Sequence, residues 1–182
     1  MTLNKNVIIQ LLLSILLISI SSTALLSSVT AAPYENQKDK DLNLHLNGAS
    51  YHFKRAGHNE QNYGLGFSYK LSDSNQRPDF LKKEPLYFEL DIFKDSFSDT
   101  GLTAAIAWKK RLSKRTSYGI KAGLWYAQSN TDKYNTPFLP YVVPFLETNY
   151  DTRINLRTTI VPPFGDVTYG SLMFQLIIKT DR

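Results

Sequence analysis

Five residues at the end of one apolar–polar run carry the first chemical suggestion: Phe93-Lys94-Asp95-Ser96-Phe97. A carboxylate stands beside a hydroxyl, between two aromatic rings, where the run Leu86 to Ile92 gives out. Asp and Ser are also ordinary turn residues, because their side chains bond nearby backbone. A proton carrier within reach would make the serine more than that. Ester transfer needs a nucleophile, or a base that deprotonates an attacking hydroxyl, and a donor to the developing oxyanion. The chain has three histidines, His45, His52 and His58, and histidine is the natural proton carrier near neutral pH. Asp95 could orient or charge-stabilise such a ring. Ser96 could be nucleophile or oxyanion donor, and residue type does not decide which.

Other chemistries are excluded early. The 182 residues include no cysteine, which removes disulfides, thiolate catalysis and cysteine metal sites. The histidines lack the helical spacing of a zinc site, and there is no glycine-rich phosphate loop, so no metal or cofactor is expected. The net charge of +5 suits an anionic lipid or polysaccharide surface as well as nucleic acid. Residues 1–32 hold no Asp or Glu and one lysine, Lys5, before apolar stretches that end in Ser28-Val29-Thr30-Ala31-Ala32. That is the layout of a secretory signal peptide, cleaved after Ala31 or Ala32. Ser14 and Ser19 interrupt the run and argue against a retained anchor. An exported chain meets lipid and polysaccharide, not nucleic acid.

The elements that must position the candidate residues alternate with period two. Leu44, Leu46, Gly48 and Ser50 share one face, opposite His45, Asn47, Ala49 and Tyr51. Tyr63 to Leu71 and Leu86 to Phe93 alternate in the same way. Further runs cover Gly101 to Lys109, Tyr118 to Ala127, Tyr141 to Leu146, Arg153 to Val161 and Tyr169 to Ile178. Eight strands of about ten residues, with no helical stripe of comparable length, predict a closed barrel. Charges such as Glu89, Asp91, Lys121, Arg153 and Arg157 lie on one face. A soluble lipocalin-like barrel would show them to water, and an outer-membrane barrel would bury them in its lumen. The aromatics Tyr51, Phe53, Tyr63, Phe93, Phe97, Trp108, Trp125, Tyr126, Tyr141 and Phe145 cluster toward strand ends, as interfacial girdles do. The expectation is all-β: an eight-stranded antiparallel up-and-down outer-membrane β-barrel over residues 42–182, after a short polar segment at 33–41.

The order of these pieces resembles the lipid A palmitoyltransferase family (PagP), from about Leu42 to Gln175. The family's histidine late in the first strand is matched by His45, its Asn-Glu pair by Asn59-Glu60, and its glycine-rich second strand by Gly64-Leu65-Gly66-Phe67. Its Phe-Lys-Asp-Ser-aromatic stretch stands at Phe93 to Phe97, and a tryptophan follows the serine by twelve positions, at Trp108. Pro137, Pro140 and Pro144 resemble its proline-studded sixth strand, and Pro162 the proline opening its last outer loop. The resemblance implies an acyltransferase that moves a palmitoyl chain from the sn-1 position of a phospholipid to lipid A, in the outer leaflet of the outer membrane. It implies His45, Asp95 and Ser96 as the active groups, with His52 an interfacial or lumen residue and His58 a solvated loop residue. Lys54 falls where the family recognises lipid A, and Ala107 where a glycine floors its acyl chamber. Phe164 is the counterpart of a gating aromatic. An alanine at the floor implies chains at or slightly below palmitoyl length.

The implied partners are a phospholipid donor, a lipid A or lipopolysaccharide acceptor and the outer membrane; a monomer or weak homodimer is expected. Protection against cationic peptides would follow from an extra chain tightening the outer leaflet. The chain departs from the family in three places. No amphipathic helix is expected ahead of the first strand, the turn Ser72 to Glu84 is long, and the end is Lys179-Thr180-Asp181-Arg182 rather than an aromatic. The alternatives are a non-enzymatic barrel, a soluble lipid carrier, and a lipid A deacylase. The last usually carries His and Ser close together on one late strand, a pair this sequence lacks.

Overall fold

The computed structural model describes residues 42–54, 57–71, 84–149, 153–164 and 168–180. The expected leader, the segment 33–41 and nearly all of the turn Ser72 to Glu84 lie outside the described residues. Eight strands run in chain order: β1 (Leu42–His52), β2 (Gln61–Lys70), β3 (Leu86–Lys94), β4 (Thr100–Arg111), β5 (Thr116–Ala127), β6 (Phe138–Asn149), β7 (Ile154–Phe164) and β8 (Thr168–Lys179). Each pairs antiparallel with its neighbour, and β1 pairs with β8, so the sheet closes into an up-and-down barrel. A short helix, α1 (Ser129–Tyr134), sits between β5 and β6. We call the end that carries the β1–β2, β3–β4 and β5–β6 connections the mouth, and the opposite end the base.

The two faces of the wall are inverted relative to a water-soluble barrel. Tyr87, Glu89, Asp91 and Phe93 of β3 point inward and are buried, whereas Leu44, Leu65, Ile92 and Leu124 face outward and stay exposed. Apolar groups outside and charges inside is the arrangement that lipid, not water, accommodates. Of the expected lumen charges, Glu89, Asp91, Lys121 and Arg157 are there, each with a partner, whereas Arg153 lies just before β7 and is exposed. Arg157 Nη1 donates to Glu89 Oε1 at 2.7 Å, and its Nε and Nη2 donate to Glu147 Oε2 at 3.2 and 3.0 Å. Asn155 donates to Glu147 Oε1 at 2.6 Å, and Lys109 Nζ lies 3.5 Å from the same oxygen. Buried charges persist only when partnered in this way. The free space left among Asn43, Ser68, Tyr87, Lys109, Glu147, Asn155 and Arg157 is about 10 Å³, no more than one water needs. The base half of the lumen is plugged.

Above the plug, Asp91 Oδ1 gathers a second layer. It accepts from His45 Nδ1 at 2.9 Å, from Gln175 Nε2 at 2.9 Å and from Asn47 Nδ2 at 3.3 Å. Glycine makes room for it: a Cβ on Gly66 would lie 2.1 Å from Asp91 Oδ1. Toward the mouth the inward face is mixed, with Phe93 and Ala127 buried beside Ser50, His52, Asn62 and Ser171. Trp125 joins them, its indole nitrogen lying against Gly101 beside the Phe93 ring.

The wall is not uniformly zipped. The β5–β6 ladder runs from Thr116 with Thr148 to Tyr126 with Phe138, but the β6–β7 ladder stops at Phe145 with Thr159. Proline explains the gap. Asn149 N–H donates to Arg115 O, and Pro137 O accepts from Ala127 N–H, which assigns the odd-numbered peptides of β6 to β5. The even-numbered ones therefore face β7, and there Pro140 and Pro144 have no N–H to give. On β7, Lys179 N–H donates to Arg153 O, so the odd peptides face β8 and Pro162 is missing its donor on the β6 side. Three absent donors leave the mouth half of this seam unpaired.

Two expectations change. Phe93 and Phe145 are buried, and by register Trp125 and Tyr141 share their inward face, so these four do not belong to a girdle. Tyr51, Phe53, Tyr63, Phe97 and Tyr126 are exposed, and make a ring on the outside near the mouth. The run Tyr141 to Leu146 lengthens to Phe138–Asn149, because β5 supplies the ladder that the prolines cannot interrupt from the other side.

Candidate active site at the mouth

Ser96 lies in the tight turn between β3 and β4, and Asp95 builds that turn. Asp95 Oδ1 accepts the N–H of Phe97 at 2.8 Å and of Asp99 at 2.9 Å, and Oδ2 accepts Ser129 Oγ at 2.6 Å. Its backbone N–H donates to Asp99 O, and its carbonyl accepts Ser98 N–H. The β1–β2 loop clasps the same turn: Asn59 N–H donates to Ser96 O at 2.8 Å, and Asn59 Nδ2 to Asp95 O at 3.1 Å. Asn62 Nδ2 adds a bond to Lys94 O at 2.8 Å. The serine is therefore held from both sides before any substrate arrives.

The histidine that reaches it is His52. Its Nε2 lies 2.8 Å from Ser96 Oγ, the spacing of a base and the hydroxyl it activates. Strict alternation would have put His52 on the outward face with Leu44 and Leu46. A β-bulge between Asn47 and Ala49, present against both β2 and β8, shifts the phase by one residue. Ser50 and His52 consequently turn into the lumen, and Ala49 and Tyr51 turn out. His58 stacks on the His52 ring at 4.8 Å between centroids, and Phe97 meets His58 edge-on at 5.6 Å.

The expected trio of His45, Asp95 and Ser96 does not converge. His45 is fully buried against Asp91, seven residues along β1 from His52. That is about 20 Å of strand. Asp95 and Ser96 are neighbours at the mouth, but the carboxylate faces its own turn and Ser129 rather than a histidine. Lys54 is exposed in the β1–β2 loop, at the rim. Ala107 is completely buried with Tyr87 and Phe145, whose rings carry Lys109 and Arg157 on their faces. Going down β3 from the mouth, Asp91 and Glu89 come before Tyr87, the partner of Ala107, so a chain descending from Ser96 meets charge first. Phe164 is the last residue of β7, paired with Thr168.

Reasoning on residue type had placed His58 in solvent and left Ser129 and α1 unnoticed. The helix is six residues without an apolar stripe, so periodicity carries no trace of it. A bulge-tolerant reading of Asn47-Gly48-Ala49 would have found His52, since glycine inside a strand is a bulge signal.

No family model matches the chain, and no curated protein matches it. Among solved structures it is similar to the Yersinia pestis outer membrane protein Ail in a phospholipid bilayer nanodisc, with a TM-score of 0.49 and 10% identity over 78% of this chain and 99% of that one.

Proposed function

We propose that this protein is an outer-membrane barrel that transfers an acyl chain from a phospholipid to lipid A, with Ser96 and His52 as the reacting pair. The observation that carries the proposal is the 2.8 Å contact between His52 Nε2 and Ser96 Oγ, set beside the buried Phe93 ring and an open seam. The membrane part rests on the inverted wall: the strands close into a barrel whose apolar outer face is what lipid covers. Lys54 at the rim and the positive net charge suit a phosphate-bearing lipid.

The seam between β6 and β7 gives a lipid chain sideways entry to the mouth half of the lumen. There it would lie along Phe93, Ala127 and Trp125, with its ester near Ser96. Ser96 Oγ attacks the ester carbonyl carbon while its proton passes to His52 Nε2. The C–O bond to the glycerol breaks, and the departing alkoxide takes that proton. An acceptor hydroxyl then gives its proton to His52, attacks the acyl-serine and restores the Ser96 hydroxyl. The layer of Asp91, His45 and Gln175 floors the chamber in place of Ala107, which favours chains at or below palmitoyl length.

A second reading, a non-enzymatic barrel, is favoured by one observation: His45 and both oxygens of Asp95 have structural partners already. Mass spectrometry of lipid A from cells carrying the protein separates the two. One added acyl chain, lost in Ser96→Ala and His52→Asn but retained in His45→Asn, supports the transferase. No added mass with a folded barrel supports the second reading, and a lost chain supports a deacylase.

A further inference from the structure

A serine and a histidine make a working pair only when the second ring nitrogen is held, since that bond fixes the tautomer and the ring. With Ser96 on Nε2, the proton of a neutral His52 belongs on Nδ1. This nitrogen is buried and has no hydrogen-bond partner. The carboxylate expected to serve it, Asp95, is spent on the N–H groups of Phe97 and Asp99 and on Ser129. One other carboxylate comes up against His52. Glu60, the last residue of the β1–β2 loop, accepts the Ser50 N–H through its carbonyl at 2.9 Å, which brings it alongside the end of β1. Its Oε1 then lies 3.5 Å from the backbone N of His52. Nδ1 is the ring nitrogen nearer the main chain, and a rotation of the Glu60 side chain is what the contact requires.

We propose that Glu60 is the carboxylate that orients His52, completing a Ser96–His52–Glu60 relay across the mouth. The inference rests on the Ser96–His52 reading and deepens it: Glu60 is a positioning residue that never touches the substrate. The other groups around His52 do not compete for the task. His58 stacks on the ring face, Ser171 is its neutral neighbour on β8, and Lys94 Nζ bonds Ser98 O at 3.3 Å in the next turn. An anion on Nδ1 favours the imidazolium that forms when Ser96 gives up its proton, and the nearby His58 ring, when charged, opposes it.

Two measurements on the full chain in phospholipid micelles test it. The first follows acyl transfer to a lipid hydroxyl against pH for the natural protein, Glu60→Gln and Glu60→Asp. The expected result is a kcat lower by about 10²-fold in Glu60→Gln, an unchanged KM for the donor, a lower apparent pKa in the kcat/KM profile, and partial recovery in Glu60→Asp. Superimposable profiles overturn the inference. The second follows the His52 ring nitrogens by NMR during a pH titration and does not depend on activity. A midpoint that falls in Glu60→Gln supports the relay, and an unmoved midpoint with Nδ1 unbonded overturns it. A natural protein that shows the Glu60-dependent midpoint but no acyl transfer keeps the relay and overturns the transferase.

Discussion

The two halves of the barrel are made from the same strands and solve opposite problems. At the base, Glu89, Glu147, Arg157 and Lys109 neutralise one another until no room is left. At the mouth Phe93 and Ala127 share the lumen with Ser50, Asn62 and Ser171, one seam is unpaired, and His52 meets Ser96 at the rim. The difference teaches where stability and chemistry were placed. Charges that must be mutually satisfied rigidify the end without a candidate site. The end with the site gives up ladder bonds and leaves a nitrogen of its own histidine unbonded.

That contrast can be broken first at the base. Arg157→Leu removes the guanidinium that two buried carboxylates share and is expected to cost about 3–5 kcal/mol, read as a lower midpoint in urea unfolding. Replacing Glu89, Glu147 and Arg157 together by Gln, Gln and Met should recover most of the loss. Changes at the mouth should do the reverse. Ser96→Ala and His52→Asn are each expected to lower transfer by about 10²–10⁴-fold, with the unfolding midpoint held. His45→Asn tests the boundary between the halves. It removes a buried bond to Asp91, costs about 1–3 kcal/mol, and leaves transfer measurable. The finest cut is at the seam. Pro144→Ala with Pro162→Ala restores two donors, adds about 0.5–1.5 kcal/mol per bond formed, and slows transfer a few-fold by narrowing lipid entry.

Much of this was legible in the residues. Period-two alternation is a local property, so every strand and the inward set Tyr87, Glu89, Asp91 and Phe93 could be read directly. The turn at Asp95 and Ser96 was readable for the same reason. Pairings across the lumen were not. That Arg157 would join Glu89 and Glu147 depends on which strands lie opposite after closure, a global outcome. Resemblance in spacing ranks His45, whereas the bulge at Asn47 to Ala49, which turns His52 toward Ser96, is invisible to strict alternation. The surroundings of Ala107 escape the same reasoning, since Tyr87 and Phe145 meet it across the barrel and not along the chain.

The bulge gives β1 two reading frames. Below it, His45 and Asn47 are in frame with the plug; above it, Ser50 and His52 are in frame with the mouth. A single-residue edit above the junction would trade His52 for Tyr51 or Phe53 at the serine without altering any residue that packs the base. Such a strand can revise its chemistry one letter at a time while its foundation keeps the original text.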